Sequence, residues 1–285
     1  MPRAAARAPR ASSSRSPRPP RAARASRASR AAGGGLTASL WPKVVFALFL
    51  GLCVWAGHAY GTLPDVRPLA TQNPKSTALI DARAEEAKER GARARRQQRW
   101  VRLSQVAPHA VEAVVASEDD RFFDHEGLDL HETKKALNEA WEQKRLGRGA
   151  STLTQQLAKN LWLSGDRSLW RKAKELILAR RLETALDKNR ILELYLNVAE
   201  WGEGIYGIEA ASRAHFGVAA SELSVAQGAV LASMLPAPRK WLPGSGSKTL
   251  RARSVRLVER LEKWGRLPRG SAEAARAEID AIVDG

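Results

Sequence analysis

The stretch from Val44 to Gly61, VVFALFLGLCVWAGHAYG, holds 18 residues without a Lys, Arg, Asp or Glu. As a helix it runs about 27 Å, near the hydrocarbon thickness of a bilayer. Trp41, Trp55 and Tyr60 stand near its ends, as interfacial anchors do. A cleaved signal peptide wants a short basic leader and a small-residue cleavage site. Here a long arm precedes the span and GHAYG makes a weak site. Residues 41–61 therefore read as a retained transmembrane helix, rather than a signal peptide or a buried core helix.

The arm before it, residues 1–40, is basic. Its first 35 residues carry nine Arg and no acid among Ala, Ser, Pro and Gly. Such a segment cannot bury enough apolar surface to offset chain entropy, so disorder is expected. Arg24, Arg27, Arg30 and Lys43 precede the span and few cations follow it closely. The positive-inside rule then puts the arm in the cytoplasm and everything after residue 62 on the far side. That topology gives the arginines a task and argues against nucleic acid as the partner, despite the net charge of +17. Cys53, the single cysteine, lies inside the span. The folded part must hold by its core alone, and a cysteine metal site is excluded.

Residues 62–100 are rich in Pro, turn formers and charge, and read as a juxtamembrane linker: an extended piece, then a helix broken at Gly91. From residue 104 onward the apolar spacing is helical. Val111, Val114 and Val115 share a face; Ile191, Leu194, Tyr195 and Val198 follow the i, i+3, i+4, i+7 pattern. Gly217 reads as a helix stop, and Ser224-Val-Ala-Gln227 as a capping box. Alternating β-branched runs are scarce, so the fold class is mostly α. The folded domain is placed at 101–270, with 271–285 as a C-terminal tail.

Three stretches carry candidate chemistry. In SEDDRFFDHEGLD (117–129) an apolar helix ends on Glu118, beside Phe122 and Phe123. A carboxylate so placed can have its pKa raised into the range of a general base. A solvated acidic helix end is the plainer alternative. His125, His131 and a carboxylate match no standard zinc spacing. In GASTLTQQLAKN (149–160) Ser, Thr, Gln and Asn crowd together with one Lys and no acid. Such a set binds sugar hydroxyls and phosphate oxygens, or else satisfies itself as an internal network. In GDRSLWRKAKELILARRLE (165–183) Arg167, Arg171, Lys172 and Lys174 crowd a helix start, with Glu175 following. Cations there oppose the macrodipole, which points to an anionic partner.

In this order the three segments resemble the family 51 glycosyltransferases, the peptidoglycan polymerases. EDDRFFDHEGLD is similar to their first motif, GASTLTQQLAKN to the second and RKAKELILARRLE to the third. KNRILELYLNVAEWGEGIYGIEAAS is similar to the fourth and fifth. Ser245-Gly-Ser-Lys248 formally fits the S-x-x-K of a transpeptidase, but only 37 residues follow it, without K-T-G. The resemblance is therefore to the monofunctional, biosynthetic branch. It implies a lysozyme-like helical domain on the outer face of the inner membrane, with lipid II and the growing glycan chain as partners. Membrane lipid and other cell-wall synthesis proteins are further expected partners. The lipid II 4-hydroxyl attacks C1 of the growing chain, and polyprenyl diphosphate leaves with inversion.

By position, Glu118 is then the base. Lys159 and Arg167 neutralise the diphosphate, with Ser151, Gln155, Gln156 and Asn160 around it. Arg171, Lys174 and Glu175 belong to the same cleft, where Glu175 either steers the cations or contacts the acceptor. Residues 128–147, with Leu128, Leu130, Trp141 and Leu146, read as a flap touching lipid. No cofactor is expected; a divalent cation, Mg or Mn, could assist, without a visible ligand set. A lytic transglycosylase or lysozyme-type hydrolase is the nearest rival, since it too uses a Glu in a helical fold. A basic nucleic-acid-binding scaffold is the rival from another class.

Overall fold

The computed structural model describes residues 35–129, 134, 151–163, 165 and 168–285. Helix α1 (Gly35–Gly61) contains a 19-residue segment, Leu40–His58, of mean hydropathy 1.7, with none of it buried against protein. Apolar side chains left uncovered along this segment fit a lipid surround, and it is long enough to cross a membrane. The chain divides after Gly61, and residues 62–285 form a second compact unit.

That unit is built from helices α2 (Ala78–Glu89), α3 (Pro108–Glu118), α4 (Leu153–Trp162), α5 (Leu169–Ala185) and α6 (Lys188–Val198). Helices α7 (Ile208–Phe216), α8 (Val225–Met234), α9 (Lys248–Lys263) and α10 (Arg269–Asp284) follow. Local chemistry sets most ends. Thr77, Thr152, Ser168, Asp187, Ser224 and Ser247 each cap a helix by accepting a backbone N–H. Ser224 and Gln227 form the reciprocal box, and Gly217 closes α7 in the left-handed conformation, as the sequence suggested.

Two packings share one core. In the first, α3 and α9 pack on α8. A Cβ at Gly228 would stand 2.9 Å from the Ala110 Cα, so glycine lets α8 approach the α3 backbone. In the second, α4 packs against α5 and α6, with α2 on its other side. The core between them is one cluster that includes Phe122, Leu157, Leu182, Leu194 and Trp201.

A small sheet escaped the periodicity argument. Strands β1 (Gln97–Gln98), β2 (Glu200–Gly202) and β3 (Ile205–Tyr206) lie in the order β1-β3-β2. β1 runs parallel to β3, with Gln97 opposite Ile205, and β2 runs antiparallel to it. Strands of two or three residues leave no alternation to read. Buried Asn197 sews the neighbouring segment down, since its side chain accepts from Val101 N–H and donates to Val101 O.

Two segments differ from expectation. Residues 62–100 are no free linker: Val66, Leu69, Ile80 and Ala87 are buried. The Arg190 guanidinium gathers the Leu69 and Gln72 carbonyls and the Asn73 side chain. Residues 271–285 are no tail either. In α10, Ala272, Ala275, Ile279 and Val283 form one buried stripe against α8 and α9. Its small residues make that stripe faint in the sequence, and its burial depends on the two helices it meets. Ser224 Oγ also donates to Glu278, tying α10 to the start of α8.

Candidate active site

The apolar side of α3 is buried, which drives its C-terminal residue, Glu118, toward the interior. Asp119 ends the helix and links three segments. Its carboxylate accepts the Leu153 N–H at the start of α4 at 2.9 Å and pairs with His125 Nε2 at 2.9 Å. His125 Nδ1 accepts the Gly127 N–H, which leaves Nε2 to donate. The first and second motifs are thus held together by one carboxylate.

Glu118 Oε2 accepts from Gln156 Nε2 at 2.8 Å, and Gln156 Oε1 accepts from the Tyr195 hydroxyl at 3.2 Å. The tyrosine thereby fixes which end of the Gln156 amide faces the glutamate. Burial, the largest influence, pushes the Glu118 carboxyl above the ordinary glutamate value. The Gln156 donor and the charges of Arg253 and Lys159 pull it back in part.

The polar residues of α4 are mostly committed inward. Thr152 Oγ1 donates to Gly127 O, and Thr154 Oγ1 to Glu183. Gln155 is 1% exposed; its Nε2 donates to Gly127 O and its Oε1 accepts from Lys172. Gln155, expected around the diphosphate, is instead an internal brace, because both ends of its amide are occupied. Asn160 is buried and Ser151 half-buried, with Ser151 Oγ accepting from Lys172 Nζ at 3.0 Å.

Glu175, on α5, is 3% exposed and gathers cations: Arg171 Nη1 at 2.8 Å and Lys172 Nζ at 2.5 Å. Lys159, on α4, is exposed as a whole residue and lies in the same field, close enough to the protein for its ammonium to lose part of its hydration. Desolvation depresses its ammonium below the ordinary lysine value. The Glu175 and Glu118 charges oppose that shift, while Arg171 and Lys172 reinforce it.

Lys174 is a correction. It was expected beside Glu175 in the cleft, but its Nζ lies over the Trp170 ring, 5.5 Å from the centroid. Lys172 holds the position that Lys174 was assigned. On a helix, residue i−3 shares a face with residue i, whereas i−1 does not, so Lys172 reaches Glu175. That spacing was the available signal for Lys172. For Tyr195 the signal was a polar tip inside an apolar stripe. Arg253, on α9, donates to Ser233 O and lies near enough to Glu118 to influence it. No local pattern marks it, since it comes from a distant helix. Arg167, His131, Leu130, Trp141 and Leu146 lie outside the described residues. Among the described residues no group of three or more His, Cys, Asp or Glu is placed to hold a metal ion.

The arrangement sets a desolvated carboxylate, able to take a proton, near Arg171 and Lys172 paired on buried Glu175, with Lys159 in the field of both glutamates. Lys159, Arg171 and Lys172 against the two carboxylates of Glu175 and Glu118 still leave net positive charge for an anion.

The transglycosylase family model matches residues 84–262. A biosynthetic peptidoglycan transglycosylase of Nitrosospira multiformis is 45% identical over 167 residues, covering 59% of this chain and 73% of that protein. One from an Azoarcus species is 41% identical over 226 residues, covering 79% of this chain and 96% of that protein. A third, from Bordetella pertussis, is 39% identical over 226 residues, covering 78% and 93%.

Proposed function

This chain belongs to the transglycosylase family and is a glycosyltransferase of peptidoglycan synthesis, and on that premise we propose how its residues divide the reaction. The acceptor is lipid II and the donor is the growing glycan chain on its polyprenyl diphosphate. Glu118 takes the proton from the acceptor 4-hydroxyl as that oxygen attacks C1 of the donor. The C1–O bond to the diphosphate breaks on the opposite face, and a β-1,4 bond forms with inversion. A raised carboxyl suits this role, since a base works best near the operating pH.

Lys159, Arg171 and Lys172 stabilise the departing diphosphate, whose charge grows as the C1–O bond opens. Arg167 is proposed to join them from the segment before α5. Ser151 and Asn160 flank the anion, Gln156 aims Glu118, and buried Glu175 keeps the cations in place. The observation that carries this reading is an adjacent pair on α4: Gln156 donates to Glu118, while Gln155 accepts from Lys172, which pairs with Glu175, so one helix joins the base to the cation cluster. A hydrolase of finished glycan needs no such cluster, because its leaving group is a sugar hydroxyl. Helix α1 is the membrane anchor, and Arg24, Arg27, Arg30 and Lys43 favour a cytoplasmic arm with the catalytic unit outside. A divalent cation, Mg or Mn, is assigned no residues of this chain and would act only as a companion of the diphosphate.

The test is to incubate the purified full chain with labelled lipid II and resolve the products on a gel. Polymer that disappears in Glu118→Gln and in Lys159→Ala, both folded, is the expected outcome. Soluble muropeptides released from sacculi, without polymer from lipid II, would replace the transferase by the hydrolase.

A further inference from the structure

The segment EWGEGIYG, residues 200–207, takes no part in the reaction as derived above. It forms one wall of a cavity of about 510 Å³ that shares no lining residue with the catalytic site. The cavity is rich in arginine: Arg83, Arg90, Arg93, Arg95 and Arg239 line it. Three of them are committed. Arg83 pairs with Glu200 and Glu86, Arg239 with Glu86 and Glu203, and Arg90 with Glu203. Arg93 and Arg95 line the same space and have no ion pair among the described residues. Against the three glutamates the cavity therefore holds two cations in excess.

Arg95 is held there by backbone geometry. Gly204 turns the chain between β2 and β3 at φ +72°. A Cβ on it would meet the Arg95 Cβ at 2.7 Å and the Arg95 carbonyl oxygen at 2.8 Å. Only glycine lets the turn sit flush against the segment that carries Arg95, just before β1, where Gln97 donates its N–H to Gly204 O.

At Glu200 the polar account does not close. The side chain is 5% exposed, and Oε2 accepts from Arg83 Nε at 2.9 Å. Oε1 is buried without a hydrogen-bond partner. A buried carboxylate oxygen left bare is costly, and native structures rarely leave one so. Burial also pushes the Glu200 carboxyl above its ordinary value, against the pull of Arg83. The cavity thus offers two unspent cations at its exposed rim and, just beneath its wall, one unspent acceptor.

We propose that this cavity is a second binding site, for a small zwitterionic group that joins a phosphate to a primary ammonium. The phosphate oxygens take Arg93 and Arg95, and the ammonium N–H takes Glu200 Oε1 after a small turn of the carboxylate, with Arg83 retained on Oε2. An ammonium without N–H bonds satisfies the charge and not the acceptor, so the site discriminates on the donor. The shared chemistry is that of a phosphoethanolamine group, whether it arrives as a lipid headgroup or as a free molecule. The inference stands independently of the proposed roles in transfer.

The test titrates O-phosphoethanolamine, phosphocholine and methyl phosphate into the full chain in maltoside micelles by calorimetry. O-phosphoethanolamine should bind about tenfold more tightly than phosphocholine, the ratio expected of one charge-assisted hydrogen bond. Glu200→Gln should erase that ratio. Because Glu200→Gln also disturbs Arg83, the double variant Arg93→Ala, Arg95→Ala serves as the independent check. It touches only exposed, unpaired side chains and should weaken all three ligands. Nanodiscs then separate the sources. If phosphatidylethanolamine discs block added O-phosphoethanolamine and phosphatidylcholine discs do not, the headgroup is the ligand; equal titration in both assigns the free molecule. No binding of O-phosphoethanolamine, equal affinity for it and phosphocholine, or binding unchanged in the arginine double variant would overturn the proposal.

Discussion

Replacing Glu118 by Gln separates its catalytic role from its place in the fold. The carboxylate accepts one hydrogen bond, from Gln156 Nε2 at 2.8 Å. In the amide, the carbonyl oxygen can take the place of Oε2 and keep that bond, so shape survives while basicity is lost. A positioned general base contributes about 10²–10⁴-fold, and turnover at saturating lipid II should fall by that factor. Stability should move the other way. A carboxyl whose folded pKa is raised binds its proton more tightly folded than unfolded. Its ionised form therefore destabilises the protein, fully so above the folded pKa. That effect fades as pH falls and is gone below the unfolded value, ordinarily 4.5. Each unit of elevation corresponds to about 1.4 kcal/mol. For a unit of this size, 1 kcal/mol moves the melting temperature by about 2–4 °C. Glu118→Gln should thus melt higher than the parent at alkaline pH, with the gap closing as pH falls toward 4.5. The assays are the initial rate of polymerisation and thermal melts followed by circular dichroism across that range. Near-normal turnover would refute the base assignment. A lower melting temperature at alkaline pH would refute the claim that burial dominates at Glu118.

Lys172→Met should reduce turnover about tenfold to a hundredfold, since it removes a charge-assisted bond to buried Glu175, whereas Lys174→Met should stay near the parent. Equal losses in the two, measured with lipid II, would return Lys174 to the site. Tyr195→Phe leaves Gln156 Oε1 without its donor and frees the amide to turn, so kcat should drop about tenfold with KM little changed. An unchanged kcat would show that Gln156 needs no such brace. Gly228→Ala drives a methyl against the Ala110 backbone and should cost about 1–3 kcal/mol in urea unfolding, partly offset by better helix propensity. A more stable variant would show that α3 and α8 can separate freely.

What the sequence determined by itself was local. A run of apolar residues from Val44 to Gly61 specifies a helix fit for lipid, because length and missing charge suffice. Ser224 with Gln227, and Gly217, mark helix ends because caps act within a few residues. The order of SEDDRFF, GASTLTQQ and RKAKE carried the family, and with it the pairing of Glu118 with a cation cluster. Tertiary structure decided which side chains of those stretches face one another. It turned Gln155 inward, because Gly127 and Lys172 meet its two ends. The choice of Lys172 over Lys174 was local as well, since i−3 spacing alone puts Lys172 on the Glu175 face of α5. Tertiary structure drew residues 62–100 and 271–285 into the core through Arg190 and through the packing of α10 on α8 and α9. It brought Arg253 from α9 into the field of Glu118, and Arg95 beside Gly204. The hydrogen bonds among these tertiary contacts join residues from 17 to 121 positions apart, and helical periodicity repeats too quickly to encode them: it states which face is apolar, while the partner of that face is set by the packing of the whole chain.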